Sequence, residues 1–372
     1  MEFRDLKQQY EKLKPEIDSA VLKAMAGGHY IMGQEVKELE NELAEYVGVK
    51  HCISCANGTD ALTLALKAWG IGPGDAVFVA DFTFFASAET IAAEGATPIF
   101  VDVCRETFNM DPADLEKAIK EVLAEGTLTP KAIVAVDLFG LPANYPELSK
   151  IAQKYQLKIL EDGAQGFGGA ISGKRACSFG DIATTSFFPA KPLGCYGDGG
   201  AVFTDNDEWA ARIESLRVHG KGSNKYENVR LGLNSRLDTV QAAILQVKFK
   251  AFREYELQAV NEAAKLYTER LAGFVSTPVV PEGFLSSWAQ YTIRLKDSEQ
   301  RTNVQNALKT KGIPSMVYYP IPMHQQKVFS ALNARECPVS EELCGSVLSL
   351  PMHPHLNEQQ IAEVCDTIIS EL

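Results

Sequence analysis

The feature that most constrains the fold is a regular alternation of short apolar runs with helical patterns between residues 51 and 161. Such alternation is typical of a mostly parallel sheet that carries helices on both faces, so the expected fold class is α/β. Ligands of these sheets bind beyond the carboxyl ends of the strands. The predicted strands are residues 51–56, 76–80, 97–101, 132–138 and 157–161, and the predicted helices are residues 59–69, 86–94, 112–123 and 145–155.

The flanking regions extend this plan. Residues 1–50 have a helical pattern with a break at Gly27–Gly28. After Pro278 the pattern becomes that of a smaller α+β unit, so we predict a large domain over residues 1–250 and a small domain over residues 251–372. The other predicted strands are residues 182–187, 201–204, 288–295 and 315–319, and the other predicted helices are residues 235–271 (one helix or two), 301–311 and 358–369.

Composition excludes several classes of protein. The 372 residues are 46% hydrophobic and 23% charged, which is typical of a folded enzyme and not of a disordered or fibrous chain. With 36 basic and 48 acidic side chains the net charge is −12, so we expect no nucleic-acid partner. Residues 1–10 lack the apolar stretch of a signal peptide, and no apolar run is long enough to span a membrane. A cytoplasmic protein without a membrane partner is therefore expected.

Two short patterns resemble known sites but lack their essential partners, and a third motif is absent. Cys52 and Cys55 have the spacing of a zinc half-site, but no second pair follows, so we expect no metal. The run Gly168 to Lys174 resembles a phosphate-binding loop, but Arg175 stands where that loop needs a hydroxyl for magnesium. A G-x-G-x-x-G fingerprint is absent from the sequence, which disfavours a nicotinamide cofactor.

Two informative segments follow predicted strands directly. Gly58 and Thr59 open a helix, where free N–H groups bind anions and Thr59 can cap the first turn. Asp162 and Gln165 follow the strand at 157–161, and a carboxylate at such an edge requires a cation or hydrogen-bond donors. A protonated ring nitrogen would be a suitable partner for Asp162. An ordinary helix cap is the alternative for both segments.

Lys191 is the strongest candidate for a catalytic residue. It lies in the apolar and glycine-rich run 184–200, where burial would lower the pKa of its amine toward neutrality. A neutral amine is a nucleophile that forms Schiff bases. Ser186 offers a hydroxyl nearby, and Phe84, just beyond the strand at 76–80, can stack on a flat ring. Together with the helix terminus and Asp162, these groups match the aldehyde, ring, ring nitrogen and phosphate of pyridoxal 5′-phosphate.

The chain resembles the DegT/DnrJ/StrS family of sugar aminotransferases along nearly its whole length. The resemblance implies fold type I of the pyridoxal-phosphate enzymes, with a large domain built on a mostly parallel seven-stranded sheet and a smaller C-terminal α+β domain. The segments that carry it are Gly33-Gln34-Glu35-Val36, the run 184–200, His219-Gly220, residues 234–243 (Asn-Ser-Arg-Leu-Asp-Thr-Val-Gln-Ala-Ala) and Tyr319-Pro320-Ile321-Pro322-Met323-His324.

The resemblance also implies a role for each candidate residue. Lys191 would form the Schiff base and carry the proton, and Asp162 would pair with the ring nitrogen. The implied cofactor-binding residues are Gly58, Thr59, Phe84, Asp162, Gln165, Ser186, Lys191 and, from the partner subunit of a homodimer with shared active sites, Asn234; the implied substrate-binding residues are Arg236, Tyr319 and His324. The family pattern leads one to expect histidine where this chain has Tyr318, which affects the sugar contacts and not the cofactor.

Within this family, the chain looks closest to the branch that aminates C3 of UDP-linked 2-acetamido-3-keto-hexuronic acids for O-antigen and lipopolysaccharide sugars. The amino acid donor implied for this reaction is L-glutamate. Amination of C4 on a dTDP- or UDP-4-keto-6-deoxy sugar remains an alternative, and so does a non-catalytic regulatory protein with this fold. Relatives that dehydrate sugars carry histidine at the lysine position, so Lys191 disfavours that chemistry. The sequence does not assign roles to Tyr318, Lys221, Lys225 or Arg230.

Overall fold

The computed structural model describes residues 1–224, 226–332 and 335–372. Its twelve strands are β1 His51–Cys55, β2 Asp75–Ala80, β3 Thr97–Val101, β4 Thr129–Val136, β5 Lys158–Asp162, β6 Ala170–Ile171, β7 Lys174–Arg175, β8 Ile182–Ser186, β9 Gly200–Thr204, β10 Phe284–Leu285, β11 Tyr291–Arg294 and β12 Val347–Leu350. Its α-helices are α1 Leu6–Gly27, α2 Gln34–Val47, α3 Gly58–Trp69, α4 Ala86–Ala93, α5 Pro112–Glu125, α6 Tyr145–Tyr155, α7 Asp207–Leu216, α8 Thr239–Ala251, α9 Leu257–Leu271, α10 Ser298–Thr310, α11 Pro338–Ser346 and α12 Glu358–Ile369. A π-helical turn, Phe252–Glu256, joins α8 to α9.

A seven-stranded sheet in the order β1-β9-β8-β5-β4-β2-β3 forms the centre of the large domain. The pairs β2–β3, β2–β4, β4–β5 and β5–β8 are parallel, and only β9 runs against its neighbours. The central strands are almost entirely buried because apolar clusters cover both faces of the sheet. The expected α/β class with a mostly parallel seven-stranded sheet is confirmed.

A third apolar cluster forms the core of the C-terminal region. It joins α9, α10 and α12 to the two-stranded sheet β11–β12. Some residues beyond 320, including Met323 and Phe329, pack instead against the core of the large sheet. The predicted division at residues 250 and 251 falls at the end of α8, within a continuous helical run, and it stays a prediction.

The predicted strand at 315–319 is wrong. This segment lies between Pro314 and Pro320, which have no N–H to donate to a ladder, and only Met316 pairs with the neighbouring strand, at Ser349. The helix expected from residue 235 begins at Thr239, and the strand expected from residue 288 covers only β11. Trp288 has a left-handed backbone, with φ of 49°, which is incompatible with an extended strand at that position.

Candidate active site

The candidate residues gather at one edge of the large sheet. Since β1, β2, β4, β5 and β8 run in the same direction, the residues that follow them meet at their carboxyl ends. Gly58 follows β1, Phe84 follows β2, Asp162 ends β5 and Ser186 ends β8. The structure therefore brings together groups that are far apart in the sequence.

The amino terminus of α3 packs directly against the end of β8. A Cβ atom on Gly58 would lie 2.7 Å from Ser186 Cβ, so only glycine permits this approach. The helix is capped by Asn57, whose side chain accepts a hydrogen bond from Asp60 N at 2.7 Å, and not by Thr59 as the sequence suggested. Thr59 is exposed. Its hydroxyl, the first N–H groups of α3 and the Ser186 hydroxyl form a cradle suited to a phosphate.

Asp162 is a buried carboxyl held by two donors. Ser87 Oγ donates to Oδ2 at 2.7 Å, and Ala164 N donates to Oδ1 at a longer 3.3 Å. Burial raises the pKa of Asp162, while the Ser87 hydrogen bond and the nearby Lys191 charge oppose that rise. The weakly bonded Oδ1 leaves an acceptor for a cationic partner.

Gln165 is oriented by the backbone of a neighbouring loop. Phe139 N–H donates to Gln165 Oε1 at 2.7 Å, so the oxygen must face Phe139 and the amide nitrogen must face the site. That nitrogen donates to the hydroxyl of Tyr319 at 3.1 Å. One N–H of the amide remains for a ligand oxygen.

Lys191 lies on a tight turn after β8. Its own N–H donates to Phe188 O at 2.8 Å, and a Cβ on Gly194 would lie 2.5 Å from Pro189 O, so the turn needs glycine there. Burial lowers the pKa of the Lys191 amine, the charge of Asp162 opposes this, and the charge of Arg4 adds to it. The amine and the Asp162 carboxyl are thus close enough to affect each other.

Two aromatic side chains lie beside these polar groups. Phe84 is 53% exposed, and its ring centre is 6.3 Å from that of Tyr319. An exposed ring at this edge is free to stack on a planar ligand. Burial raises the pKa of Tyr319, so its hydroxyl stays protonated.

His324 occupies a network of its own. Its Nδ1 lies 2.7 Å from Asp81 Oδ2 and its Nε2 lies 3.2 Å from Glu341 Oε1, so both ring nitrogens are engaged. Hydrogen bonding to Asp81 raises the pKa of His324. Cys337 completes a group whose ligand atoms lie within 4.8 Å of one another, but the short contact between His324 and Asp81 is that of a hydrogen bond. The substrate role of His324 stays a prediction.

The remaining candidates lie near two antiparallel backbone bridges after α7, which we call the hairpin. Backbone bridges join Val218 to Asn234 and Lys221 to Asn228, and Asn234 is exposed. Arg236 is half-buried just beyond the hairpin. Arg230 Nη1 donates to a serine hydroxyl at the end of α7. Lys225 lies outside the described residues.

Sequence reasoning missed two residues that contact the site. Ser87 lies in the first turn of α4, four positions after Thr83, and the two hydroxyls are hydrogen-bonded. This spacing is the only local signal that the Ser87 hydroxyl points back toward the end of β2. Arg4 donates from Nη2 to the main-chain oxygen of Lys191 at 2.9 Å across 187 positions, and no local pattern predicts that contact.

A buried carboxyl pair lies on the opposite face of β5 from Asp162. Glu161 accepts hydrogen bonds from Cys177 N, Phe179 N and Gly180 N. Asp137 Oδ2 faces Glu161 and has no donor among the residues that the structure describes. Burial and the neighbouring charge raise the pKa of Asp137, and burial raises the pKa of Glu161 to about 7, so both carboxyls keep their protons to a higher pH than a carboxyl in water does.

We expect the Asp137–Glu161 pair to make the protein less stable as the pH rises. Each carboxyl has a higher pKa in the folded state than in the unfolded state. Its contribution to the free energy of unfolding is therefore complete below about pH 4 and disappears as the pH passes about 7. Between these limits the free energy of unfolding should fall by up to about 1.4 kcal/mol per pH unit for each proton. Asp137→Asn supplies a permanent N–H donor to Glu161 and should flatten the dependence. The free energy of unfolding of both proteins, measured by urea titration between pH 5 and 8.5, tests this; parallel pH slopes would contradict it.

Comparison with known proteins assigns the fold to a family. The profile of the DegT/DnrJ/EryC1/StrS aminotransferase family matches residues 11–369. The chain belongs to this aminotransferase family. The predicted family, its fold type I architecture and the class of aminotransferase that depends on pyridoxal phosphate are confirmed.

Three relatives illustrate the similarity. The UDP-2-acetamido-2-deoxy-3-oxo-D-glucuronate aminotransferase of Pseudomonas aeruginosa is 44% identical over 98% of both chains. A pleiotropic regulatory protein of Geobacillus stearothermophilus is also 44% identical, over 98% of this chain and 96% of its own. The crystal structure of a family aminotransferase from Brucella abortus has a TM-score of 0.97 and 46% identity, covering 99% of this chain and 98% of that one.

The residues at the sheet edge fit the family's cofactor. The narrow cradle between Gly58 and Ser186 suits a phosphate, the free lone pair of Asp162 Oδ1 suits a ring N–H, and the Lys191 amine suits an aldehyde. The family assignment therefore agrees with the donor set that this aminotransferase presents. No helix in the described parts of the chain is long and apolar enough to cross a membrane.

Proposed function

We propose that this aminotransferase moves the amino group of L-glutamate to the C3 keto group of a UDP-linked 2-acetamido-2-deoxy-hexuronate, for a cell-surface polysaccharide such as O-antigen. The observation that carries the proposal is the meeting of Lys191 and Asp162 at one edge of the sheet. The choice of substrate is supported by the Pseudomonas aeruginosa relative, whose name specifies a 3-oxo-glucuronate. The predicted cytoplasmic location is part of this proposal.

Lys191 acts as nucleophile and proton carrier. Bound pyridoxal phosphate supplies an aldehyde and a ring that withdraws electrons from the amino donor's α-carbon. Because burial lowers its pKa, the Lys191 amine spends more time neutral and can accept the proton of that α-carbon. The turn around Phe188 holds the lysine main chain at the sheet edge.

Asp162 maintains the positive charge of the cofactor ring. Its carboxylate lies at the end of β5, and the Ser87 hydroxyl favours its ionised form despite the burial. An ionised Asp162 favours a protonated ring nitrogen. Gly58, Thr59 and Ser186 hold the phosphate, Gln165 donates to the ring hydroxyl, and Phe84 stacks on the ring.

In this proposal Arg236, Tyr319 and His324 contact the sugar nucleotide. Tyr319 is fixed by Gln165, so a sugar contact there is coupled to the cofactor-binding side chain. Tyr318 contacts Phe3 edge to face, with ring centres 6.2 Å apart, and therefore serves packing in this chain.

The working unit is a homodimer whose active sites are shared. Asn234 is exposed at the base of the hairpin, close to apolar side chains that would be exposed to solvent in a monomer. Leu231 is 92% exposed, and Ile31, which is 46% exposed, forms a backbone bridge with Asp238, four residues after Asn234. These features support a role of Asn234 at the phosphate of the partner subunit.

Subunit complementation tests the shared site. Lys191→Ala and Asn234→Ala homodimers should each be impaired, but a mixture refolded or co-expressed at equal ratio should regain about a quarter of wild-type turnover, since half the dimers then carry one intact site. A Lys191→Ala/Asn234→Ala double variant is the control partner: it cannot supply Asn234 in trans, so its mixture with Asn234→Ala should show no recovery. No recovery would contradict the contribution of Asn234 in trans.

The function is tested by a panel of keto sugar nucleotides. Addition of glutamate to the purified protein should change the absorbance of the bound cofactor. Addition of the UDP-3-keto-hexuronate should then reverse this change, and the sugar nucleotide should gain an amino group. A response only to 4-keto-6-deoxy sugars would favour C4 amination. No response to any amino donor would favour a regulatory role, which the name of the Geobacillus relative makes worth testing.

A further inference from the structure

Asp81 fastens a C-terminal segment of the chain to the end of β2. Asp81 follows β2 directly, and its N–H donates to Val101 O at 2.8 Å, so the sheet holds its main chain. Its main-chain oxygen accepts from Met323 N at 2.9 Å, and its Oδ1 accepts from His324 N at 2.8 Å. Its Oδ2 lies 2.7 Å from His324 Nδ1. All three oxygens of Asp81 are therefore used to hold two consecutive residues of the distant segment.

The segment held in this way carries a residue of the candidate site. We call residues 319–324 the proline loop, because two of its six residues are prolines, which limit its backbone freedom. Its first residue, Tyr319, accepts a hydrogen bond from Gln165 Nε2 at 3.1 Å. The Tyr319 ring also lies edge to face with Phe82, the residue after Asp81, with ring centres 6.0 Å apart. The loop is thus fixed at both ends, at one by Gln165 and at the other by Asp81.

The ring of His324 lies between two carboxylates. Its Nδ1 faces Asp81 Oδ2, and its Nε2 lies 3.2 Å from Glu341 Oε1. A neutral imidazole has one N–H, so one of its nitrogens would direct a lone pair at a carboxylate, whereas an imidazolium donates to both. The Asp81 side chain is completely buried, so water screens its contact with the ring little. The geometry therefore favours a charged His324.

Two further ionisable groups face this pair. The sulfur of Cys337, just before α11, lies within 4.8 Å of the Asp81 and His324 atoms, and burial raises the pKa of its thiol, which stays neutral. Burial raises the pKa of Asp81, the hydrogen bonds from His324 oppose this rise, and the charge of Asp102 adds to it. Hydrogen bonding to Asp81 raises the pKa of His324. The shared proton therefore belongs on the ring and not on the carboxyl.

We propose that Asp81 is a positioning residue for the sugar side of the site, which holds His324 in its imidazolium form and thereby fixes the proline loop against the end of β2. That the loop contacts the sugar nucleotide rests on the proposed function. The charge of His324 and the order of the loop do not depend on any substrate.

The first measurement is the titration of His324 in the holoenzyme, in a buffer that contains EDTA. The chain has six histidines, so NMR of protein labelled with ¹⁵N-histidine can resolve the rings, and the signal missing from His324→Asn belongs to this one. The wild-type midpoint should lie above the ordinary value of about 6.5, with both ring nitrogens protonated below it. Asp81→Asn keeps an oxygen for the His324 N–H but removes the charge, so it should lower the midpoint by about one pH unit or more.

The second measurement is amide hydrogen exchange of the proline loop, read by mass spectrometry of the holoenzyme at pH 7 without substrate. Exchange in Asp81→Asn should be faster by about ten-fold or more, because the loop loses its charged link to β2. Asp207→Asn is the matched control. Asp207 lies 2.7 Å from His51 at the exposed start of α7, so its variant removes the same type of contact and should leave both readouts unchanged.

Turnover gives the third readout. Asp81→Asn should raise the KM of the sugar nucleotide by about ten-fold and leave the half-reaction with glutamate unchanged, a split that a general loss of structure would not produce. An unchanged midpoint, exchange rate or KM in this variant would overturn the proposal. So would a wild-type midpoint at or below about 6.5, or an unprotonated Nδ1 at pH 6, and these two measurements need no variant. Absence of sugar amination by the wild type would overturn the proposed function, while the first two measurements would still decide the role of Asp81.

Discussion

Lys191→Ala is expected to lower transamination by about 10³-fold or more, because the chain then loses both its nucleophile and its proton carrier. The half-reaction with glutamate, followed by the absorbance of the bound cofactor in a stopped-flow instrument, measures the effect. Borohydride reduction of the wild-type holoenzyme should attach the cofactor to the Lys191 peptide, and the variant should give no such peptide.

The matched control is Lys150→Ala. This lysine is 69% exposed and pairs with Glu147 on the same helix, so its loss should leave the rate unchanged. Substantial turnover by Lys191→Ala, or a reduced adduct on another lysine, would show that Lys191 does not have the proposed role.

Asp162→Asn should slow the same half-reaction by about 10²–10³-fold while the cofactor stays bound. The amide keeps the size of the side chain and an oxygen for Ser87, but it cannot stabilise a protonated ring nitrogen by charge. The cradle between Gly58 and Ser186 is unchanged, so binding should persist. Rate and cofactor content are measured on the same preparation.

Asp181→Asn serves as the comparison for Asp162→Asn. Asp181 lies just before β8, at the opposite edge of the same sheet, and its carboxylate accepts a hydrogen bond from Ile159 N. The substitution removes one negative charge from the sheet without touching the candidate site. Equal rates for the two variants would show that the charge of Asp162 is not needed.

Local sequence signals located most of the candidate site. Asp162 and Ser186 end strands β5 and β8, and Gln165 and Lys191 follow them; the apolar runs of both strands are visible in the sequence, and parallel strands bring their carboxyl ends to one edge. The groups at these strand ends together suggested pyridoxal phosphate, and the resemblance to a known family then suggested the role of each residue. The geometry agrees with this grouping, and the roles themselves await the experiments above.

Other features depended on contacts between distant segments. Ser87 and Tyr319 were not linked to Asp162 and Gln165 by any spacing, since they lie 75 and 154 positions away from those partners. The segment 315–319 has the apolar composition of a strand, but its flanking prolines and its single bridge to Ser349 prevent a ladder. Composition alone does not reveal whether a partner strand is available.

The order of apolar runs and turn residues determined the sheet, its direction and the edge where chemistry can occur, because these follow from short-range periodicity and from the geometry of parallel strands. Tertiary structure alone decided the electrostatic setting of that edge. The charges that act on Lys191, and the charge that Glu161 exerts on Asp137, depend on burial and on distances between segments that are separate in sequence. Those quantities set the pKa of each group, and they exist only once the chain has folded.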